Sequence, residues 1–342
     1  MPGKSSRAPA PVIDVHAHCL PRFPFAIQKV MDLVTARPGP NRAFLHKGIT
    51  SVIYPEVADI DLQMRVLEEA GITRSLLSFS MELELISRKA WVLPQAWVMR
   101  MMNDCMAELV ARYPDRLDFM VMVNPFHRES AAECRRCLEG LGARGISIGT
   151  SFAGEFPDSP RAEPLWELAE SLGTPVFLHP PFAPLGYTKM DLYRLEEAVG
   201  RPFDTTMAAA RMILSGVFDR HPGLQVILPH SGGALLCLAD RLDFTLRLGY
   251  ETLPPGQAAS CKRRPGAYLR TNFFADTMGF SPAKLRHCVE LFGTDRVVFG
   301  SDYAPVPLSP REQVEIVKGL GLREADTEKI LWKNAAGLFG YA

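Results

Sequence analysis

The chain is 342 residues long, 47% hydrophobic, 9% aromatic and 22% charged, and its 38 Lys and Arg balance 38 Asp and Glu. That apolar fraction supplies a large core and excludes a mostly disordered chain. Zero net charge excludes a global field that would draw the protein to nucleic acid, and no apolar run approaches the ~18 residues of a membrane span.

Residues 1–11 are small, polar and Pro-rich without an apolar stretch, and read as a disordered leader ahead of a single domain, 12–342. Short β-branched or aromatic runs predict strands at 12–19, 74–79, 118–123, 145–149, 175–179, 225–229, 269–275 and 297–301. Amphipathic patterns predict helices at 60–70, 95–113, 129–141, 164–172, 207–220, 234–248 and 282–292. Eight strands, each followed by a helix, is the count of an α/β fold of the (β/α)8 TIM-barrel type, although a doubly wound open sheet shows the same alternation. Two long connections break the rhythm: an insertion after the first strand, 21–56, with a small hairpin near Val52-Ile53, and a second stretch over 180–205. In a barrel both leave the C-terminal ends of strands, the face where active sites sit. The tail from 311 holds two helices, the second over 325–336, and reads as a packed cap. Seven cysteines, an odd number in a long chain, point to reduced thiols and a cytoplasmic protein.

Chemistry-bearing residues gather at the strand ends. Asp14-Val15-His16-Ala17-His18 closes the first strand, and side chains two apart on a strand share a face. Paired imidazoles so placed suit a borderline cation such as Zn²⁺, although a lone His-x-His also fits two buried core histidines. His179 ends the fifth strand, His230 the sixth and Asp302 the eighth. Four histidines and a carboxylate at the same end of apolar strands are hard to explain as packing, and predict a metal site.

The residues that carry this pattern make the chain resemble the amidohydrolase superfamily, in particular the branch typified by aminocarboxymuconate-semialdehyde decarboxylase. The likeness is strongest over 12–20, 145–150, 178–180, 230–241 and 299–303. It implies one divalent metal, zinc first and manganese as the alternative, held by His16, His18, His179 and Asp302, with His230 as acid/base. Binuclear members carry a bridging carboxylated Lys at the end of the fourth strand. Here that strand reads Gly145-Ile146-Ser147-Ile148-Gly149-Thr150, so one metal is expected. Three nitrogens and one carboxylate leave the open position of a catalytic zinc site, and an imidazole pKa near 6.5 suits proton transfer.

The resemblance also implies a homodimer in which Arg241 reaches the partner's site to bind a substrate carboxylate; a surface Arg between Asp240 and Asp243 is the alternative. The family's Arg and Lys in the first long loop fall at Ser51 and Asn41, which puts a dicarboxylate substrate in doubt. Arg42, His46 and Lys47 lie nearby; of these His46 is kept as a candidate site residue, and Tyr193 and Phe182 fit aromatic walls of the pocket or core and lid packing equally well. Cys134 and Cys137 read as inert helix thiols, His127, His221 and His287 as structural, and the methionines at 99, 101, 102 and 106 as core. The expected function is metal-dependent nonoxidative decarboxylation of a small unsaturated or aromatic carboxylic acid. The alternative is hydrolysis of an amide, lactone or cyclic imide at the same site. A metal-stabilised binding protein is the third.

Overall fold

The computed structural model describes residues 10–21, 35–37, 42–46, 49–53, 55–79, 94–190, 192–247, 258–305 and 308–341, and of residues 35–56 it describes the backbone. Eight parallel strands run in the order β1 (Ile13–Ala17), β5 (Arg74–Leu77), β6 (Leu117–Met122), β7 (Gly145–Gly149), β8 (Val176–His179), β9 (Val226–Leu228), β10 (Phe273–Asp276) and β11 (Val297–Val298). The last strand returns to the first. The Val15 amide donates to Phe299 O at 3.0 Å, Asp302 N to His16 O at 2.7 Å and His18 N to Tyr303 O at 2.6 Å. These bonds close a (β/α)8 barrel and leave no open-sheet edge. The expected hairpin belongs to a separate antiparallel sheet of β2 (Thr35–Arg37), β3 (Arg42–His46) and β4 (Ile49–Ile53).

The longer helices are α1 (Ile60–Glu69), α2 (Gln95–Val110), α3 (Ser130–Gly140), α4 (Glu163–Ser171), α5 (Arg201–Leu214), α6 (Leu235–Thr245), α7 (Pro282–Phe292) and α8 (Pro310–Lys318), with α9 (Asn334–Phe339) at the C-terminus. Strands covered on both faces need apolar residues at every position, which is why they read as continuous runs. Val176 and Leu178 of β8 join the outer strand–helix core, while Phe177 joins a second cluster inside the barrel. That lumen cluster takes Ile13, Val15, Leu76, Met120, Phe177, Ile227, Phe274 and Val298 from seven strands. Ala335, Ala336 and Phe339 of α9 close it from below, where a Cβ on Gly145 would lie 3.0 Å from the Phe339 ring. Tyr341 secures this floor: its hydroxyl donates to Asp118 at 2.8 Å, and Arg74 and Arg144 lie over its ring.

Three expectations are corrected. The segment predicted as strand from 269 begins at Phe273, because Pro265–Leu269 is a short helix whose buried Tyr268 and Leu269 mimic a strand run. The helix predicted over 207–220 starts at Arg201, with Pro202 in its first turn, and breaks at Gly216, whose φ of 73° ends it before Val217–Arg220. The tail helix predicted over 325–336 is composite: Glu324–Glu328, a π turn over Lys329–Lys333, then α9. By contrast α7 starts where predicted, since Ser281 caps it and Pro282 occupies its first position. Residues 1–9 of the expected leader lie outside the described residues, as do Asn41 and Lys47 of the insertion.

Candidate metal centre

In β1 a register irregularity between Asp14 and Ala17 interrupts simple alternation. Val15 enters the lumen cluster while Ala17, two residues on, packs outward, so the irregularity reverses the side-chain phase between them. It sets His16 and His18 at the mouth of the barrel, beside His179 at the end of β8 and Asp302 beyond β11. One donor atom from each of these four buried residues lies within 4.8 Å of the others.

The outer nitrogens decide what the inner ones can do. His16 Nδ1 donates to Asp276 Oδ2 at 2.6 Å, His18 Nδ1 to Ser78 O at 2.7 Å and His179 Nδ1 to Pro180 O at 3.0 Å. Carboxylate and carbonyl oxygens only accept, so each Nδ1 carries a hydrogen and each neutral ring points its Nε2 lone pair inward. His16 Nε2 and His18 Nε2 stand 3.0 Å apart, with Asp302 Oδ1 at 3.3 and 3.1 Å from them. Converging lone pairs and a carboxylate require a positive charge between them. In the chain alone a proton meets part of this need: burial would depress His16, but Asp302 and Asp276 outweigh it and push it up to about 10. Burial lowers His18 and takes His179 well below its ordinary value, so both stay neutral. Burial opposes ionisation of Asp302, yet the charge on His16 and the hydrogen bond it gives outweigh burial and hold the carboxyl well below the carboxylate range. Three neutral imidazoles' worth of nitrogen and one ionised carboxylate fit a single divalent cation.

His230 follows β9 in a tight turn, with Nε2 3.2 Å from Asp302 Oδ2 and a buried Nδ1 that has no partner among the described residues. His230, Ser231 and Asp302 all occupy left-handed backbone, at φ 57°, 60° and 56°. Such positions cost non-glycine residues free energy and are held by their surroundings. Here the holders are specific. Lys284 Nζ donates to His230 O at 2.9 Å, and Ser231 N donates to Asp276 Oδ1 at 3.0 Å. Asp14 accepts from Ser301 Oγ at 2.5 Å and from the amides of Ser301 and His16, fixing the approach to Asp302. Burial raises the Asp14 carboxyl to about 6. Gly300 passes beneath the cluster, where a Cβ would lie 2.8 Å from that of His16. Asp276 and Ser301 escaped the sequence reading; the signal for Asp276 was a carboxylate closing the apolar run Phe273-Phe274-Ala275.

Of the remaining candidates, none whose side chain is described belongs to this donor cluster. Arg241 is exposed on α6 and has no ion pair among the described residues. Tyr193 is 86% exposed, with φ 60°. His46 ends β3 opposite Ile49, Ser51 pairs with Phe44, and their side chains lie outside the described residues, as does that of Arg42. Phe182 is buried beyond β8. Cys134 and Cys137 are free and buried, and burial raises both thiols far above their ordinary value. His221 bridges Glu163 and Glu170 at 2.9 and 3.1 Å, His287 bonds Leu236 O, and His127 accepts from the Glu129 amide. The four methionines of α2 are all buried.

This fold and ligand set define a class of metal-dependent barrel enzymes. A family model described as amidohydrolase matches residues 13–341, and the chain belongs to the amidohydrolase family. Within it the chain is an enzyme of the decarboxylase branch. It is 32% identical over 243 residues to the 2-amino-3-carboxymuconate-6-semialdehyde decarboxylase of Dictyostelium discoideum, covering 70% of this chain and 65% of that protein. It is 31% identical over 305 residues to the gamma-resorcylate decarboxylase of Rhodococcus jostii, covering 82% and 87%. The crystal structure of 5-carboxyvanillate decarboxylase from Sphingomonas paucimobilis superposes with a TM-score of 0.80 at 25% identity, covering 97% of this chain and all of that one. No helix among the described residues is long and apolar enough to cross a membrane.

Proposed function

We propose that the protein is a mononuclear, zinc-dependent decarboxylase of a small aromatic or unsaturated carboxylic acid. His16, His18, His179 and Asp302 hold the ion, and His230 moves the proton. The observation that carries this reading is the fixed inward turn of three Nε2 atoms onto Asp302, whose other oxygen is hydrogen-bonded to His230. A borderline donor set of three nitrogens and one oxygen favours zinc over manganese. When bound, the cation supplies positive charge to the substrate's anionic oxygens and to the charge that shifts as the carboxylate departs.

On this reading His230 Nε2, 3.2 Å from Asp302 Oδ2, carries a proton. In the reaction it goes to the carbon bearing the carboxylate. The C–C bond then breaks, its electron pair returns to the ring or chain, CO2 leaves, and water reprotonates the pair. Hydrolysis of an amide, lactone or cyclic imide is not favoured, since the similar proteins are named as decarboxylases. His230→Asn should retain about one metal per chain while turnover of the acid, followed as CO2 release, falls about 10²–10⁴-fold. Loss of the metal in that variant would reassign His230 as a ligand.

Arg241, exposed and without an ion pair among the described residues, is suited to reach the site of a second copy, and we assign it with His46 and Tyr193 to substrate binding in a homodimer. Heterodimers of Arg241→Ala and His230→Asn chains should then regain activity, because one of two sites is intact. Absence of rescue with subunit exchange shown by mixed-tag pull-down would return Arg241 to its own chain's surface. Seven cysteines without a disulfide fit a reducing compartment, and we place the enzyme in the cytoplasm.

A further inference from the structure

We propose that Arg201 binds a second carboxylate of the substrate, so that the enzyme prefers a dicarboxylic acid; this rests on the decarboxylase reading above. Arg201 opens α5, and its side chain is 13% exposed. Nη1 is held 2.9 Å from Glu197 Oε2, while Nε and Nη2 are buried with no partner among the described residues. Glu197 is itself shared with Arg194, 3.1 Å away, so it offsets the Arg201 charge only in part. Buried guanidinium donors left unpaired carry the full cost of desolvation. The Nε–Nη2 edge is moreover the side of the guanidinium whose two parallel N–H bonds match the two oxygens of a carboxylate.

The first turn of α5 is fixed at the mouth of the barrel by bonds on three sides. Asp204, one turn after Arg201 on the same face, accepts from Thr150 Oγ1, from Ser151 Oγ at 3.1 Å and from the Leu185 amide at 2.7 Å. Thr150 N in turn donates to the backbone oxygen of His179 at 2.8 Å. On the other side a Cβ on Gly233 would lie 2.5 Å from Pro202 O, and the Ala234 amide donates to Thr206 Oγ1 at 2.9 Å. The first turns of α5, which Arg201 opens, therefore lie between the end of β8, which carries His179, and the turn that carries His230. A monocarboxylate held at the metal site leaves its free edge unpaired, whereas a diacid satisfies both positions. Sites built around a buried polar group discriminate strongly against substrates that lack its partner.

The test uses isophthalate and benzoate as probes and has two arms. By calorimetry on chelator-treated protein, isophthalate should bind at least 30-fold tighter than benzoate, and Arg201→Met should bring that ratio close to one. Glu197→Gln, which frees Nη1 and leaves the guanidinium in place, should tighten isophthalate further and covers the case in which Arg201→Met does not fold. In the metal-loaded enzyme, Arg201→Met should raise KM for aromatic diacids far more than it lowers kcat. Isophthalate binding untouched by both substitutions overturns the Arg201 assignment even if CO2 is released. Arg201-dependent isophthalate binding without CO2 release from any aromatic acid keeps that assignment and overturns the decarboxylase reading instead.

Discussion

At the imidazole of His16 two carboxylates act on one ring: Asp276 holds Nδ1 at 2.6 Å, and Asp302 lies 3.3 Å from Nε2. Only the second is positioned to share a cation, and the first sets the tautomer and raises the basicity of the ring. Asp276→Asn should therefore weaken metal affinity about 10–100-fold, read by competition with a chromophoric chelator. Unchanged affinity would limit Asp276 to bracing the Ser231 and Met278 amides that it also accepts. The gathering of His16, His18, His179 and Asp302 was legible in the sequence because each interrupts the end of an apolar strand, and an interruption shows. Asp276, Asp14 and Ser301 were not, because their work is done on backbone amides and on one another, and those partnerships exist only after folding. Tyr193 lies on left-handed backbone and is 86% exposed in the single chain, so its assignment to substrate binding rests on the proposed homodimer.

The first turns of α5 went unread as helix because Asp204, Thr205 and Thr206 are poor helix formers. Tertiary bonds overrule that preference: Thr206 Oγ1 donates to Pro202 O at 2.7 Å and accepts from the Ala234 amide, and Asp204 ties the helix to two strand ends. Burial raises the Asp204 carboxyl, against the hydrogen bonds from Thr150, Leu185 and Ser151 that lower it. The folded chain thus keeps this proton to higher pH than the unfolded chain. Its contribution favours folding below the ordinary carboxylate value and is lost as pH rises through the raised one. Asp204→Asn removes the charge but not the size, so the stability of the variant relative to the native chain should climb as pH rises from the ordinary carboxylate value. Parallel urea midpoints for the two proteins from acid to neutral pH would show that Asp204 does not titrate in this way.

Across the whole molecule, strand count and order were legible from the alternation of apolar runs and helices, and barrel closure was not. Closure rests on backbone bonds between β1 and the residues after β11, which no periodicity encodes. Nor did the sequence disclose that α9 forms the floor of the lumen, since its apolar residues look like those of any amphipathic helix. Phe339 is 5% exposed in the lumen cluster, and Phe339→Ala should cost about 3–5 kcal/mol in urea unfolding. A cost under about 1 kcal/mol would mean that the floor collapses onto the gap or is held by Tyr341 alone.

The bond from Ser301 to Asp14 spans 287 positions of the chain. During synthesis the His16–His18 pair leaves the ribosome long before Asp302 exists, and the barrel cannot close until β11 has been made. For that interval the cell holds a bare two-imidazole chelate with no carboxylate to complete it. Bare imidazoles rank ions by intrinsic affinity, copper above zinc, and offer no geometry to resist that order. The choice of ion thus belongs to the moment of closure and to whatever free-metal pool surrounds the chain then. On the reading that these four residues hold a cation, a complete ligand set therefore exists only once the barrel has closed.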